Sequence, residues 1–199
     1  MQYIDREPSG ERRFVRHEAG VLAAHRQDDG ERALLARSDV MITTVFTQIL
    51  AFFDTVVAAL RGGLCALDYC NLGTRAEPTA YVERYAPHFD IGFFGLTVAD
   101  GALIERLAVM SAALSRLFVV TLGPAGALAL DGSRRVRRPA VPVARVVDTT
   151  GAGDTFAAGL LSVHANGCAL EAPLDAGAAA TLGHMSAFEA DLVPWSSSS

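Results

Sequence analysis

VVDTTGAGDTFAAGLL, residues 146–161, joins a glycine-rich loop to an apolar run that is long enough to form a helix. Gly151 and Gly153 allow the backbone N–H groups of 151–154 to turn inward at the start of that helix. A concave row of N–H donors, reinforced by the helix dipole, binds anions such as phosphate. The segment therefore predicts a phosphate-binding site at the N-terminus of a helix over 155–165.

The carboxylate of Asp154 is unusual in such a loop, because it would repel a bound phosphate. Phosphoryl transfer needs an anion hole for the developing charge and a base on the attacking hydroxyl, and Asp154 could be that base. Aspartate is also favoured as a residue that caps the N-terminus of a helix. The local pattern leaves both roles open.

Upstream of this loop, short apolar runs alternate with helical patterns. Predicted strands cover 40–45, 64–68, 91–94 and 117–122, and predicted helices cover 48–60, about 78–85, and 101–116. Strands separated by helices imply right-handed crossovers and a parallel sheet that is covered on both faces. The predicted fold class is a doubly wound α/β core.

The pattern changes after residue 122. Residues 127–131 and 134–139 flank the turn Asp131-Gly132 and predict an antiparallel hairpin. The run 141–147 is predicted as a strand that leads into the glycine loop, and a last helix is expected over about 170–188. Residues 1–30 do not fit the alternation and resemble two short strands joined by a polar turn.

Composition excludes several kinds of site. The chain has 199 residues and a formal net charge of −5, and all 17 of its basic residues are arginine. A Walker P-loop needs a lysine on the transferred phosphates and a Schiff-base enzyme needs a lysine amine, so both are excluded. The negative charge also argues against nucleic acid or an anionic membrane as a partner.

Cysteine use and the N-terminal segment predict a cytoplasmic protein. Cys65, Cys70 and Cys168 form no Cys-x-x-Cys pair, which is typical of free thiols in a reducing compartment. The start, MQYIDREPSGERRF, is charged and lacks the apolar core of a signal peptide. The apolar run at 41–60 contains a glutamine and an aspartate, so a strand and a helix explain it better than a membrane span does.

The motifs together resemble the ribokinase (PfkB) family of carbohydrate kinases, and in detail the fructoselysine kinases within it. Residues 146–161 match the C-terminal signature of that family, and VVTLGPAGALAL at 119–130 resembles its Thr-x-Gly-x-x-Gly strand-turn-strand. LDYCNLGTR at 67–75 is a looser version of its Asp-x-Asn-x-x-Arg segment, and GERRF at 10–14 resembles the turn of its lid sheet. The resemblance implies a ribokinase-like three-layer α/β/α sandwich with a mostly parallel sheet.

The resemblance also implies roles for the matching residues. Gly151, Ala152 and Gly153 would form the anion hole, and Asp154 would deprotonate the sugar hydroxyl that attacks the γ-phosphate of ATP, with Mg²⁺ as a cofactor. The other matches form three sets: Thr121, Gly123 and Gly126 along the nucleotide; Asp148 and Thr150 at a monovalent cation such as K⁺; and Asp68 and Arg75 at the substrate.

The chain departs from the family pattern in two places. GLTVAD at 95–100 replaces an Asn-x-x-Glu segment that helps to organise Mg²⁺, so metal coordination would rely on water and other groups. The family's N-terminal third, with its first strands, a Gly-Gly motif and most sugar contacts, has no counterpart. The expected organisation is a lid-strand remnant at 1–20, a nucleotide-binding and catalytic core at 21–195, and a disordered tail at 196–199.

The expected activity is ATP-dependent phosphorylation of a hydroxymethyl group on a small-molecule sugar or sugar derivative. The lid strands often pair between subunits in this family, so residues 3–15 could form a homodimer. The alternative is a non-catalytic nucleotide-binding remnant or fragment of such a kinase, because most of what should hold a sugar is absent.

Three other functions fit the sequence less well. The spacing from Gly151 gives Gly-x-Gly-x-x-Phe, which is not the Rossmann fingerprint. A hydrolase would need a paired serine beside His164 or His184, and the chain has no Gly-x-Ser-x-Gly motif. RRVRR at 134–138 indicates a solvated sheet edge rather than a nucleic-acid patch, because strand alternation separates its charges.

Overall fold

The structure, a computed structural model, describes residues 2–6, 12–17, 20–70, 72, 77–144 and 149–187. Near the start of the chain, β1 (Gln2–Arg6) and β2 (Arg12–His17) pair antiparallel as a separate two-stranded sheet. This confirms the two short strands predicted there. The predicted tail at 196–199 lies outside the described residues.

The main sheet has six strands in the order β3-β4-β5-β6-β7-β8. In sequence these are β3 (Val40–Thr44), β4 (Leu64–Asp68), β5 (Ile91–Gly95), β6 (Leu117–Thr121), β7 (Ala127–Asp131) and β8 (Arg134–Arg138). Strands β3 to β6 are parallel, and β7 and β8 extend the sheet as an antiparallel hairpin. The predicted α/β class with a mostly parallel sheet is confirmed.

Six α-helices connect or follow the strands. They are α1 (Asp29–Arg37), α2 (Leu50–Ala59), α3 (Pro78–Tyr85), α4 (Gly101–Leu114), α5 (Ala152–His164) and α6 (Glu171–Ala187). None of these helices is both long and apolar enough to cross a membrane. The sequence analysis found all of them except α1.

The segment before α5 differs from the prediction. Residues 141–144 form no strand, and 145–148 lie outside the described residues. Helix α5 begins at Ala152, three residues before the predicted start at 155, because Gly151 adopts a left-handed conformation and the chain turns into the helix there.

Two hydrophobic clusters lie on opposite faces of the sheet, since successive side chains of a strand point to opposite sides. One cluster joins α2, α3 and α4 to the strands, and its centre contains Phe53, Val82, Leu107, Leu67, Phe94 and Phe118. The other joins α5 and α6 to the strands through Phe156, Leu160, Leu174, Ile91, Val119 and Ala129. Four-residue buried runs in β5 and β6 are typical of strands covered on both faces.

Glycines let α5 and α6 approach closely. A Cβ added to Gly159 would lie 2.8 Å from the carbonyl oxygen of Ala176, and one added to Gly177 would lie 2.9 Å from that of Phe156. Both contacts are too short for a larger residue, so the two helices pack backbone against backbone. This packing brings the C-terminal half of α6 beside the loop that starts α5.

Candidate functional site

The loop before α5 leaves two of its backbone N–H donors free. Gly151 caps the helix with φ 74° and ψ 4°, and no side chain supplies a capping hydrogen bond. The N–H groups of Ala152 and Thr155 donate to the carbonyl oxygens of Thr149 and Gly151, at 3.1 and 2.8 Å. Those of Gly153 and Asp154 have no acceptor among the described residues. Two adjacent free donors at the positive end of a helix dipole are an arrangement that can bind an anion.

Gly153 has the helical conformation of the first turn, so its role does not depend on a left-handed backbone. A Cβ added there would meet nothing within 4 Å. The open space in front of Gly153 leaves its N–H accessible to a ligand. The positive φ that the loop needs is at Gly151 instead.

Helix α6 holds the loop in place through two side chains. His184 donates from Nε2 to the carbonyl oxygen of Thr150 at 2.5 Å, so this nitrogen carries the hydrogen. Thr181 donates to the carbonyl oxygen of Gly177 at 2.9 Å and lies 3.4 Å from that of Ala152. The sequence analysis noted only that His184 has no paired serine. It could not predict the contact with Thr150, because nothing in a helical pattern reveals a contact 34 residues away.

A second carboxylate lies close to Asp154. Asp68 ends β4, and its Oδ1 accepts the backbone N–H of Cys70 at 2.7 Å, in a tight turn where Cys70 has φ 51°. Burial raises the pKa of Asp68, the hydrogen bond from Cys70 opposes that change, and the negative charge of Asp154 raises the pKa further. Asp154 itself is exposed. Two residues that are 86 positions apart in the sequence therefore share one electrostatic environment at the carboxyl end of β4.

The turn between β6 and β7 is built around two glycines. Thr121 ends β6, with its hydroxyl 3.4 Å from the carbonyl oxygen of Phe94. Gly123 has φ 55° and Gly126 has φ 92°. A Cβ on Gly126 would lie 2.0 Å from the carbonyl oxygen of Arg138, whereas one on Gly123 would meet nothing within 4 Å. The turn therefore requires glycine at 126, and Gly123 leaves an open backbone surface at the carboxyl end of β6.

Residues 95–100, where the resemblance leads us to expect an Asn-x-x-Glu segment, contain a capping box at Thr97. Asp100 accepts hydrogen bonds from the backbone N–H and the hydroxyl of Thr97, at 2.8 and 2.7 Å. These two bonds lower the pKa of the Asp100 carboxyl. Because its carboxylate is already engaged, Asp100 is poorly placed to take over the metal-organising role of a glutamate.

Some predicted site residues cannot be placed. Arg75 and Asp148 lie outside the described residues, as does Asn71. Within the described ranges, no group of three or more histidine, cysteine, aspartate or glutamate side chains is arranged to hold a metal ion. The free backbone donors of the loop before α5 suit a phosphate group.

Comparison with known proteins gives the family. Residues 95–187 match the pfkB family of carbohydrate kinases. The matched residues include the β6–β7 turn and the loop before α5. This chain belongs to the PfkB family. The expected family is thereby confirmed.

Two sequence relatives of this PfkB chain are named as kinases of fructoselysine and of fructosamine. Fructoselysine 6-kinase of Shigella flexneri is 30% identical over 151 residues, which cover 76% of this chain and 55% of that protein. Fructosamine kinase of Bacillus subtilis is 24% identical over 166 residues, which cover 81% of this chain and 56% of that protein. The PfkB chain thus spans about half the length of these relatives.

Solved structures show the same fold. Ribokinase of Thermotoga maritima matches with a TM-score of 0.70 and 19% identity, over 95% of this chain and 64% of that structure. A nucleoside kinase of Methanocaldococcus jannaschii matches with a TM-score of 0.70 and 17% identity, over 94% of this chain and 61% of that structure. At such low identity, the likeness concerns the fold alone.

Proposed function

We propose that this chain is the nucleotide-binding and catalytic part of an ATP-dependent phosphotransferase that acts on a hydroxymethyl group of a sugar or sugar derivative. One observation carries the proposal: the first turn of α5 presents the free N–H groups of Gly153 and Asp154 together with the exposed Asp154 carboxylate. An anion hole and a base on one helical turn are the two parts that phosphoryl transfer requires.

ATP supplies the γ-phosphoryl group when bound. Asp154 accepts the proton of the attacking hydroxyl, the hydroxyl oxygen forms its bond to the γ-phosphorus, and ADP leaves with the former bridging oxygen. The N–H groups of Gly153 and Asp154 stabilise the negative charge on the transferred group. The N–H of Ala152 instead donates to the carbonyl oxygen of Thr149. His184 keeps this loop in position through the Thr150 carbonyl.

Other residues would serve the nucleotide and its ions. In this proposal Thr121, Gly123 and Gly126 follow the nucleotide at the carboxyl end of β6, where α/β folds bind ligands. Asp148 and Thr150 would hold a monovalent cation such as K⁺, and Mg²⁺ would be held by phosphate oxygens and water. Asp68 would face the substrate beside Asp154, and β1 with β2 would form part of a lid over the sugar.

The names of the two relatives suggest the substrate class. Both act on a sugar joined to an amine by name, so we propose a fructosamine-type sugar derivative as the acceptor. Because the chain spans about half of those proteins, many of the acceptor's contacts must come from structure outside the matched part.

The deciding experiment is Asp154→Asn in a form of the protein that phosphorylates a fructosamine. Loss of the proton acceptor should lower kcat by about 10²–10⁴-fold. The affinity for ATP, measured by calorimetry, should be kept or improved, since one negative charge beside the phosphates is gone. Asp131→Asn, on the exposed turn between β7 and β8, is the matched control and should leave kcat unchanged. Full turnover by Asp154→Asn would refute the assignment.

The second candidate is a non-catalytic nucleotide-binding remnant, and the exposed outer strand β3 favours it. Val40 and Ile42 of that strand are 39% and 44% exposed, although such residues are normally covered. Orientation of the acceptor contributes on the order of 7–11 kcal/mol to well-organised catalysis, and much of it would be lost without the sugar contacts. Coupled ATPase and sugar-kinase assays should compare the 199-residue chain with one extended upstream. Normal turnover by the shorter chain would exclude the remnant.

A further inference from the structure

A cavity lined by arginines lies between α1 and α2, away from the candidate active site. Its volume is about 300 Å³, and it is lined by Arg26, Arg32 and Arg61, by Gln27 and Thr55, and by two alanines of α2. None of its lining residues is acidic. The volume is at the lower end of the range for small-molecule sites.

Two of the three guanidinium groups have no carboxylate partner among the described residues. Arg26 donates to the carbonyl oxygen of His25 at 2.9 Å, and Arg61 donates to those of Ala58 and Leu60 at 2.5 and 2.7 Å. These acceptors are neutral, so the positive charges of Arg26 and Arg61 are not balanced within the described structure.

The third guanidinium, that of Arg32, is already in an ion pair. It forms an ion pair with Asp29 at 2.5 Å, and the Asp29 side chain is 99% exposed. Exposed pairs of this kind contribute little. Asp28 and Glu31, the other carboxylates in the segment, already accept hydrogen bonds in the capping box that starts α1. These carboxylates keep their negative charges and, with Asp29, equal the three arginines in number. The positive charge that the cavity offers is therefore that of Arg26 and Arg61, which no described carboxylate pairs.

The end of α2 does not cancel this charge. A helix C-terminus carries a partial negative charge that would disfavour an anion. Here Arg61 donates to two of the terminal carbonyl oxygens and so offsets that effect. The guanidinium keeps further N–H donors in a planar fork, which suits phosphate oxygens.

The cavity and the loop before α5 lie at opposite ends of β4. Arg61 precedes the amino end of that strand and Asp68 is its last residue. A five-residue strand separates them by roughly 13 Å or more. A phosphate bound near Arg61 is therefore distinct from one bound at Gly153 and Asp154.

We propose that this cavity binds a phosphate monoester of a small metabolite as a second ligand site. Arg26, Arg32 and Arg61 bind the phosphate, and Ala58 and Ala59 provide an apolar wall for the rest of the molecule. The proposal does not depend on the kinase assignment, because none of these residues belongs to the loop before α5.

The test is a titration of the ¹⁵N-labelled full chain with inorganic phosphate and then glucose 6-phosphate, followed by NMR at constant ionic strength. We expect saturable shifts of the backbone amide signals of Gln27, Thr55 and Arg61. Shifts at Gly153 and Asp154 report separately on the loop before α5. The absence of saturable shifts around the cavity would overturn the proposal.

Three substitutions locate the binding. Arg26→Gln and Arg61→Gln should each weaken the cavity binding by about tenfold, the usual effect of losing one charge-assisted hydrogen bond. Arg137→Gln, on the opposite edge of the sheet, removes the same net charge and should not weaken it. Equal weakening by Arg137→Gln, or no weakening by Arg26→Gln, would overturn the proposal. If Arg61→Gln fails to fold, Arg26→Gln decides alone, because within the described ranges Arg26 donates to its neighbour His25 and to no other residue.

Discussion

β8, at one edge of the six-stranded sheet, carries four arginines, whereas β3, at the other edge, exposes Val40 and Ile42. The arginines of β8 join the strand to the helices beside it. Arg134 and Arg138 pair with Glu171 and Asp175 of α6 at 2.7 and 3.0 Å, and Arg135 pairs with Glu105 of α4 at 2.6 Å. Charged side chains on an edge strand discourage pairing with another strand, so the edge at β8 is protected against edge-to-edge association.

The β3 edge lacks such protection. No described strand pairs with its outer side, and α1, which precedes it, buries none of its residues. Phe46, just after the strand, is 48% exposed. The half of the molecule around β5–β8, with the candidate nucleotide site, therefore has a protected sheet edge, whereas the β3 side exposes apolar side chains that another strand or a second copy could cover.

The largest expected effect tests the half around β5–β8 at Gly126. Gly126→Ala should destabilise the fold by about 2–4 kcal/mol, because the new Cβ meets the Arg138 carbonyl in a backbone conformation open only to glycine. Gly123→Ala is the matched control. Its Cβ has free space, so only left-handed strain of about 1–2 kcal/mol applies. Urea unfolding measures both losses.

Equal losses at the two positions would contradict the close packing of the β6–β7 turn against the end of β8. In that case the turn could not be the rigid platform that the proposed nucleotide site needs. Circular dichroism of the folded variants would show whether either substitution disturbs the sheet before unfolding begins.

The next effect concerns the unprotected edge. We expect the chain to self-associate through β3, and Ile42→Lys should weaken that association by at least about tenfold, since it removes an apolar contact from each copy. Val109→Lys is the control, because Val109 is 71% exposed but lies on α4. Sedimentation velocity over a range of concentrations measures the change. If Ile42→Lys and Val109→Lys changed self-association equally, β3 would not be the surface through which the chain associates.

Much of this architecture could be predicted from patterns within single segments. Short apolar runs predicted β3 to β6 and Asp131-Gly132 predicted the hairpin, because both signals are local. Helix α1 was not predicted. None of its residues is buried, so its sequence carries no apolar stripe of the kind that marks a helix packed on a core. Its Asp28-x-x-Glu31 capping box was readable, and it forms as such a signature predicts.

The candidate site divides in the same way. The glycine loop and Asp154 are contiguous, so the sequence alone indicates an anion site there. The contact between His184 and the Thr150 carbonyl depends on how α6 packs on α5, and no spacing within either segment reveals it. Likewise, strand order predicts that Asp68 lies at the carboxyl edge of the sheet, but not that the charge of Asp154 reaches it.

A smaller effect tests the electrostatic link between the two halves. The pKa of Asp68 is raised in the folded state, so ionisation of this carboxyl costs the folded protein stability. The free energy of unfolding therefore falls as pH rises from the ordinary aspartate pKa of about 3.9 through the raised pKa of Asp68. Asp68→Asn should therefore increase thermal stability above that window and give no gain below it. Asparagine keeps an oxygen that can accept the Cys70 N–H.

Asp154→Asn should lower the pKa of Asp68, because the negative charge of Asp154 raises it. Carboxyl ¹³C NMR would detect this change. An unchanged pKa of Asp68 in this variant would show that the Asp154 carboxylate does not act on Asp68.

The smallest expected effect concerns the charged edge. Arg135 binds Glu105 through two hydrogen bonds of 2.6 Å, and these bonds lower the pKa of Glu105. A lowered pKa means that the pair stabilises the fold above the ordinary pKa of glutamate and loses this effect as pH falls through the folded value. Glu105→Gln should thus reduce the unfolding temperature slightly at neutral pH and low salt.

Salt decides whether that small loss comes from the ion pair. Both groups are exposed, so about 1 M salt, with a Debye length near 3 Å, should remove most of the difference between Glu105→Gln and the unmodified chain. Glu83→Gln, an exposed residue on α3, is the matched control and should show no salt-dependent loss. If the loss of stability in Glu105→Gln persisted in high salt, β8 would be held to α4 by packing of the Arg135 side chain rather than by its charge. Charge pairing between Arg135 and Glu105 would then not be what distinguishes the β8 edge from the apolar β3 edge.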